Sequence, residues 1–196
     1  MEKMQISIVF QPCENGVRFV ASLKQAAYRL LEASYSSYRS IAHISICNLL
    51  LSEREVDVIV RRLREGLKYE HSQHVYFDRF ASYPSSGTLY MAPTVYARNF
   101  LKGKIRKIAE EIRQVVPVRP SADPHLTIGR GLEKDDLERL TNAAVFQQID
   151  FDFFCNGILL RKFNPEKKHY EPLLEIPFGG EERPDAAGGQ LALPFT

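Results

Sequence analysis

Two short stretches 82 positions apart constrain this chain more than anything else in it: HISI at 43–46 and HLTI at 125–128. In each, a histidine and a hydroxyl residue alternate with two apolar residues. Period-two alternation places the imidazole and the hydroxyl side by side on one face of a strand, with the apolar pair on the other. The surroundings repeat as well. QISIVFQP (5–12) alternates like a strand, and Val20, Leu23, Ala27, Leu30 and Leu31 then recur at helical spacing. AHISIC (42–47) returns to period two, and Ser52 with Glu55 forms a capping box ahead of Val56, Ile59, Val60, Leu63 and Leu67.

The same order returns further on. GTLYMAP (87–93) predicts a strand, and Thr94 opens a long amphipathic helix through Phe100, Leu101, Ile105, Ile108, Ile112 and Val115 that stops before Pro117. PHLTIG (124–129) follows as a strand, and Glu133 to Phe146 as a helix with Leu137 and Leu140 inward. Ile6 precedes His43 by 37 positions, and Leu89 precedes His125 by 36. A diverged repeat of about 82 residues is too long for a solenoid unit and predicts two lobes related by approximate two-fold symmetry. HVYFDRFASYP (74–84) and segments around 148–163 and 169–178, the last two joined by an NPEKK turn, supply the remaining strands.

The chain has 196 residues, 44% of them hydrophobic and 26% charged, which suits one packed α+β domain of two lobes. That domain is expected over 1–178, with lobes at about 1–70 and 85–147. GGEERPDAAGGQ (179–190) has nothing to bury, so 179–196 is expected to be a flexible tail. No apolar run approaches the roughly 20 residues of a membrane span, and MEKMQISIVFQP lacks a secretory core. Cys13, Cys47 and Cys155 are odd in number and unpatterned, which fits a reducing, cytoplasmic setting. A net charge of +2 does not argue for nucleic acid, and the basic runs KGKIRK and RRLR read as solvated helix faces.

Paired histidines suit phosphoryl transfer. From opposite lobes, His43 and His125 would approach one phosphodiester from two sides, one neutral and one protonated, as an unperturbed pKa near 6.5 allows. The neutral ring would take a proton from the attacking hydroxyl or water, and the charged ring would give one to the departing oxygen. Ser45 and Thr127 would donate hydrogen bonds to the non-bridging oxygens. Ligand-like neighbours of these histidines amount to Cys47 and Asp123, neither with a counterpart in the other half, so no metal or other cofactor is expected.

Two H-x-[ST]-x motifs in a duplicated α/β frame, with Gly129-Arg130 after the second, resemble the two-histidine (2H) phosphoesterase superfamily, and within it the 2′-5′ RNA ligase or RNA 2′,3′-cyclic phosphodiesterase branch. The layout agrees over about residues 4–178, although CNLLLSE departs from the aromatic-Leu-Gly turn that often follows the first motif. The resemblance implies a V-shaped groove lined by antiparallel sheets with helices outside. It also implies hydrolysis of 2′,3′-cyclic phosphates of RNA ends or nucleotides, with reversible 2′-5′ joining in some members. Carried over by motif, His43 and His125 are acid and base in an undecided order, and Ser45 and Thr127 hold the phosphate.

Arg130 would clamp phosphate if a bulge or the strand's end, permitted by Gly129 and Gly131, turned it inward; a surface arginine at a turn is the alternative. Tyr90 falls on the groove side of its strand, either as a base-stacking platform or as packing. Alternative functions are a phosphodiesterase for another small cyclic or 2′-5′ linked nucleotide, and a non-catalytic module that holds RNA ends. A monomer is expected. The ending QLALPFT resembles the Q-x-x-L-x-F peptide that docks bacterial proteins on the DNA sliding clamp, through Gln190, Leu193 and Phe195; packing of an apolar terminus on its own domain is the alternative.

Overall fold

The computed structural model describes residues 2–182; the terminal peptide with Gln190, Leu193 and Phe195 lies outside the described residues. The elements run β1 (Met4–Phe10), α1 (Glu14–Leu31), β2 (Ile44–Leu51), α2 (Glu53–Leu67), β3 (Gln73–Tyr83), β4 (Thr88–Pro93), α3 (Val95–Arg113), β5 (Leu126–Gly129), α4 (Lys134–Asn142), β6 (Phe151–Cys155), β7 (Gly157–Asn164) and β8 (His169–Pro177). The capping box forms as its spacing predicts. Glu55 N–H donates to Ser52 Oγ at 3.4 Å, and Ser52 N–H donates to Glu55 Oε2 at 2.7 Å. Thr94 caps α3 in the same manner, its Oγ1 accepting from Ala97 N–H at 3.2 Å.

Two four-stranded antiparallel sheets result, ordered β2-β1-β7-β8 and β5-β4-β3-β6. Each is built alike: a motif strand at the edge (β2 or β5), its repeat partner beside it (β1 or β4), then two further strands. Ile6, Ile8 and Phe10 of β1 and Leu89 and Met91 of β4 belong to one continuous apolar core that also takes the inner faces of all four helices. Ser7, Val9, Thr88 and Tyr90 alternate with them and occupy the opposite faces.

The register revises the repeat alignment. In the first sheet Val9 faces Ser45 while Ile8 faces Cys47, so Ile46 is an extra residue, a β-bulge. In the second sheet Tyr90 faces Thr127 while Leu89 faces Gly129, and Ile128 is the extra residue. Each motif therefore carries a bulge at its last position. Leu89 corresponds to Ile8, not to Ile6, because matching the bulges moves the alignment by two residues. Val9 then corresponds to Tyr90, and Ser7 to Thr88.

The expected single strand over 148–163 is two strands. β6 pairs with β3 in the second sheet, and after Asn156 the chain enters the first sheet as β7, beside β1. Gly157 makes the crossing possible, since a Cβ there would meet Ile176 O at 2.5 Å and Pro177 Cα at 2.8 Å. The helix expected over Glu133–Phe146 ends at Asn142, and a 3-10 turn covers Ala144–Phe146. Past Phe178 the chain stays docked: the N–H groups of Gly179, Gly180 and Glu181 donate to Leu67, Glu70 and Lys68 carbonyls at 3.0, 3.0 and 2.9 Å, capping α2. Among the described residues no helix is long and apolar enough to cross a membrane.

Candidate active site

His43 stands immediately before β2 and His125 immediately before β5. Each ring is anchored in the same way. His43 Nδ1 lies 2.6 Å from the carbonyl oxygen of Ile41, and His125 Nδ1 lies 2.8 Å from that of Asp123. A carbonyl can only accept, so Nδ1 carries a proton in both rings. That leaves Nε2 as the working nitrogen of each: a base when the ring is neutral, an acid when it is charged.

The hydroxyl residues follow on the same faces. Ser45 lies opposite Val9 and Thr127 opposite Tyr90. Neither hydroxyl has a side-chain hydrogen bond among the described residues. Both are free to donate to a ligand.

The bulges stitch the two lobes together. A bulged residue's carbonyl is released from the regular ladder and needs another donor. Ser121 N–H, from the segment before β5, donates to Ile46 O at 2.7 Å. Ser37 Oγ, from the segment before β2, donates to Ile128 O at 3.3 Å, and its neighbour Ser36 Oγ donates to Arg130 O at 2.7 Å. Each lobe thus satisfies the bulge of the other, directly beside the motif residues.

The two rings differ in their electrostatics. Burial pushes His43 down to about 4, helped by the positive charges of Arg161 and Lys24 and by His125 itself, against the Ile41 hydrogen bond. Burial also lowers His125 and the charge of Arg130 adds to this, while the hydrogen bond to Asp123 and its carboxylate oppose it. His125 has a carboxylate among its close influences and His43 has none.

Around His125 the aromatic residues are packed. Tyr90 lies 4.8 Å from the imidazole between ring centroids, Tyr83 lies 5.7 Å away edge-on, and the two tyrosines stack at 4.5 Å. Tyr90 is 8% exposed, with Tyr83 stacked on one face of its ring. The Tyr83 hydroxyl and the Arg98 guanidinium both bond the Asp123 carboxylate, which fixes the segment whose carbonyl holds His125. Arg130 lies just beyond β5 and is exposed. The bulge falls on Ile128, β5 ends at Gly129, and Arg130 stands just past the strand's end, where its charge acts on His125.

Sequence reasoning missed Lys24 and Arg161. Lys24 is buried in α1, where its ammonium donates to Ser40 O, Ser40 Oγ and Ser37 O at 2.6, 2.7 and 3.0 Å and so pins the segment leading to His43. Burial lowers its pKa to about 8. Arg161 lies on β7 opposite Ser7. The available signal was a charge at an alternation position between Leu159 and Phe163 in GILLRKF. Among the described residues no three His, Cys, Asp or Glu side chains are grouped to hold a metal ion.

Two mirrored sheets, each presenting a histidine and a hydroxyl from the start of its edge strand, define the two-histidine phosphoesterase fold. The sequence profile of the 2′-5′ RNA ligase superfamily matches residues 14–163, and the chain belongs to that superfamily. Escherichia coli LigT in complex with 3′-AMP superposes with a TM-score of 0.65 at 13% identity, over 91% of this chain and 99% of that one. TT0787 of Thermus thermophilus gives 0.61 at 14% identity, over 91% and 100%. Kluyveromyces marxianus Usb1 gives 0.56 at 15%, over 89% and 97%. No curated protein matches the sequence.

Proposed function

We propose that this protein is a phosphodiesterase that hydrolyses 2′,3′-cyclic phosphates, at RNA ends or of free nucleotides, to 2′-phosphates. The observation that carries the reading is the matched anchoring of His43 and His125. Both rings are fixed through Nδ1, and both keep Nε2 available. Superfamily membership supports it, as do the LigT structures with 3′-AMP, ATP and phosphate, which associate this fold with nucleotide and phosphate ligands.

The electrostatic difference favours one assignment of the roles. His43, held neutral by burial among positive charges, is the base: Nε2 takes a proton from water as the water oxygen bonds to phosphorus. His125, beside the Asp123 carboxylate, is the acid: Nε2–H protonates O3′ as the P–O3′ bond breaks. The product is a 2′-phosphomonoester with a free 3′-hydroxyl. Ser45 and Thr127 donate to the non-bridging oxygens as negative charge grows on them. Arg130 adds positive charge at the rim of the site, and Tyr90 keeps the His125 ring in orientation. No step calls for a metal ion. With a 5′-hydroxyl of RNA in place of water, the same groups would join ends through a 2′-5′ linkage.

The test is turnover of 2′,3′-cyclic AMP and of a short RNA with a cyclic phosphate end, in EDTA, beside His125→Ala and His43→Ala. The expected result is 2′-phosphate product with the wild type, and a fall of about 10²–10⁴-fold in either variant. Undiminished turnover in both variants would sink the reading.

A further inference from the structure

Arg161 is a buried cation with no counter-ion among the described residues. It is 6% exposed, and no described carboxylate lies within ion-pair distance of its guanidinium. Nη2 donates to Ser7 Oγ at 3.0 Å, and the guanidinium lies 5.4 Å from the ring centroid of Tyr170. Nε is buried without a hydrogen-bond partner among the described residues. A buried charge normally keeps a paired partner, because desolvation is otherwise uncompensated. Arg98 shows the usual solution: its Nε is unpartnered too, but its guanidinium pairs with Asp123.

Its place in the fold says what the missing partner is. Ser7 faces Arg161 across β1 and β7, and Thr88 faces Tyr83 across β4 and β3. Since Ser7 corresponds to Thr88, Arg161 occupies in the first lobe the position of Tyr83 in the second. Tyr83 is the residue whose ring meets His125 edge-on at 5.7 Å. By that correspondence Arg161 takes the matching place on the strand beside β1, and it is the strongest charged influence on His43. It stands with Ser7 and Val9 on the sheet face opposite the core.

We infer that Arg161 is the anion-binding residue of the first lobe, and that its guanidinium donates to a non-bridging oxygen of the phosphate held between the two histidines. This deepens the phosphodiesterase reading and rests on it for the identity of the phosphate. An arginine suits the task because its planar fork keeps donors free for an oxyanion while Nη2 stays on Ser7. The phosphate supplies the charge that Arg161 lacks. Arg130 then meets the same phosphate from the exposed side, beside His125, so that the two lobes each contribute one cation.

The probe is adenosine 2′-monophosphate, titrated calorimetrically into the full chain, wild type and the Arg161→Gln and Arg161→Lys variants, with thermal unfolding of each ligand-free protein. Arg161→Gln is expected to weaken binding at least tenfold, with Arg161→Lys in between, and without lowering the melting temperature, since an unpaired buried charge has been removed. Affinity within twofold of wild type in Arg161→Gln would overturn the inference, as would a wild type that does not bind the nucleotide. Loss of binding together with a melting temperature several degrees lower would assign Arg161 to the scaffold and overturn it too. Failure of the phosphodiesterase reading looks different: arginine-dependent binding with no turnover of cyclic phosphate by the wild type.

Discussion

The backbone N–H of Ser121 donates to the carbonyl of Ile46 at 2.7 Å, across the two lobes. Its counterpart by pseudo-symmetry runs the other way, from Ser37 Oγ to Ile128 O at 3.3 Å. Both acceptors are bulged residues that directly follow a motif hydroxyl: Ile46 comes after Ser45, and Ile128 after Thr127. The lobes are thus held together at the residues proposed to grip phosphate.

The two bonds differ in which atom donates, and this gives a direct contrast. Ser37→Ala removes the donor to Ile128 O, whereas Ser121→Ala leaves the backbone N–H in place. Chemical denaturation should show Ser37→Ala destabilised by about 1 kcal/mol and Ser121→Ala within about 0.5 kcal/mol of wild type. Turnover of cyclic phosphate should fall in Ser37→Ala alone. Equal effects of the two substitutions would show that the inter-lobe bonds do not set the site.

The pH dependence of turnover should be tunable in opposite directions through His125. As the acid, this ring must be protonated, so the rate declines as pH rises through its pKa, which burial holds below the ordinary 6.5. Asp123 favours the protonated ring and Arg130 disfavours it. Asp123→Asn should therefore move the alkaline limb of kcat down, and Arg130→Ala should move it up. Limbs that shift together, or that stay fixed, would separate His125 from the acid role.

Much of this architecture was legible from the pattern of the chain, and the exceptions share a physical cause. Alternation at HISI and HLTI, and helical spacing around them, report which face of an element is buried, and the histidine pair follows from that alone. Alternation does not report the partner strand. The stretch 151–164 is strand-like and largely apolar throughout, so the passage from one sheet to the other at Asn156 leaves no mark except Asn156-Gly157. Bulges are likewise invisible, because Ile46 and Ile128 are apolar residues where a regular strand would also place them. Arg161 was passed over because a charge in a half-buried strand is ordinarily solvated, and its neighbours became known only from the register with Ser7.

The crossing between sheets should be intolerant of a side chain. At Gly157 an added Cβ would lie 2.5 Å from Ile176 O and 2.8 Å from Pro177 Cα, both backbone atoms of the paired strand β8. Neither can yield without disturbing the β7–β8 ladder. Gly157→Ala should destabilise by about 1–3 kcal/mol as an overpacking change. Gly103, with nothing within 4 Å of its Cβ position in α3, is the control. Gly103→Ala should stabilise by up to about 1 kcal/mol through helix propensity. Urea unfolding of the two variants checks both signs.

His43 should also make the folded protein sensitive to acid. Its pKa is ordinarily 6.5 and is pushed down to about 4 in the folded state, chiefly by burial. Between those values the unfolded chain binds a proton that the native protein excludes, so stability contributed by this site is complete above 6.5 and is lost as pH falls toward 4. The shift corresponds to a loss on the order of 3 kcal/mol across that window. His43→Asn cannot take up the proton, and it should lower stability near neutral pH yet flatten the decline on the acid side. The measurement is the urea midpoint of wild type and His43→Asn at pH about 7.5 and about 4.5. If the two proteins lose stability in parallel over that range, the His43 ring is not held neutral by its surroundings, and its assignment as the base loses its electrostatic ground.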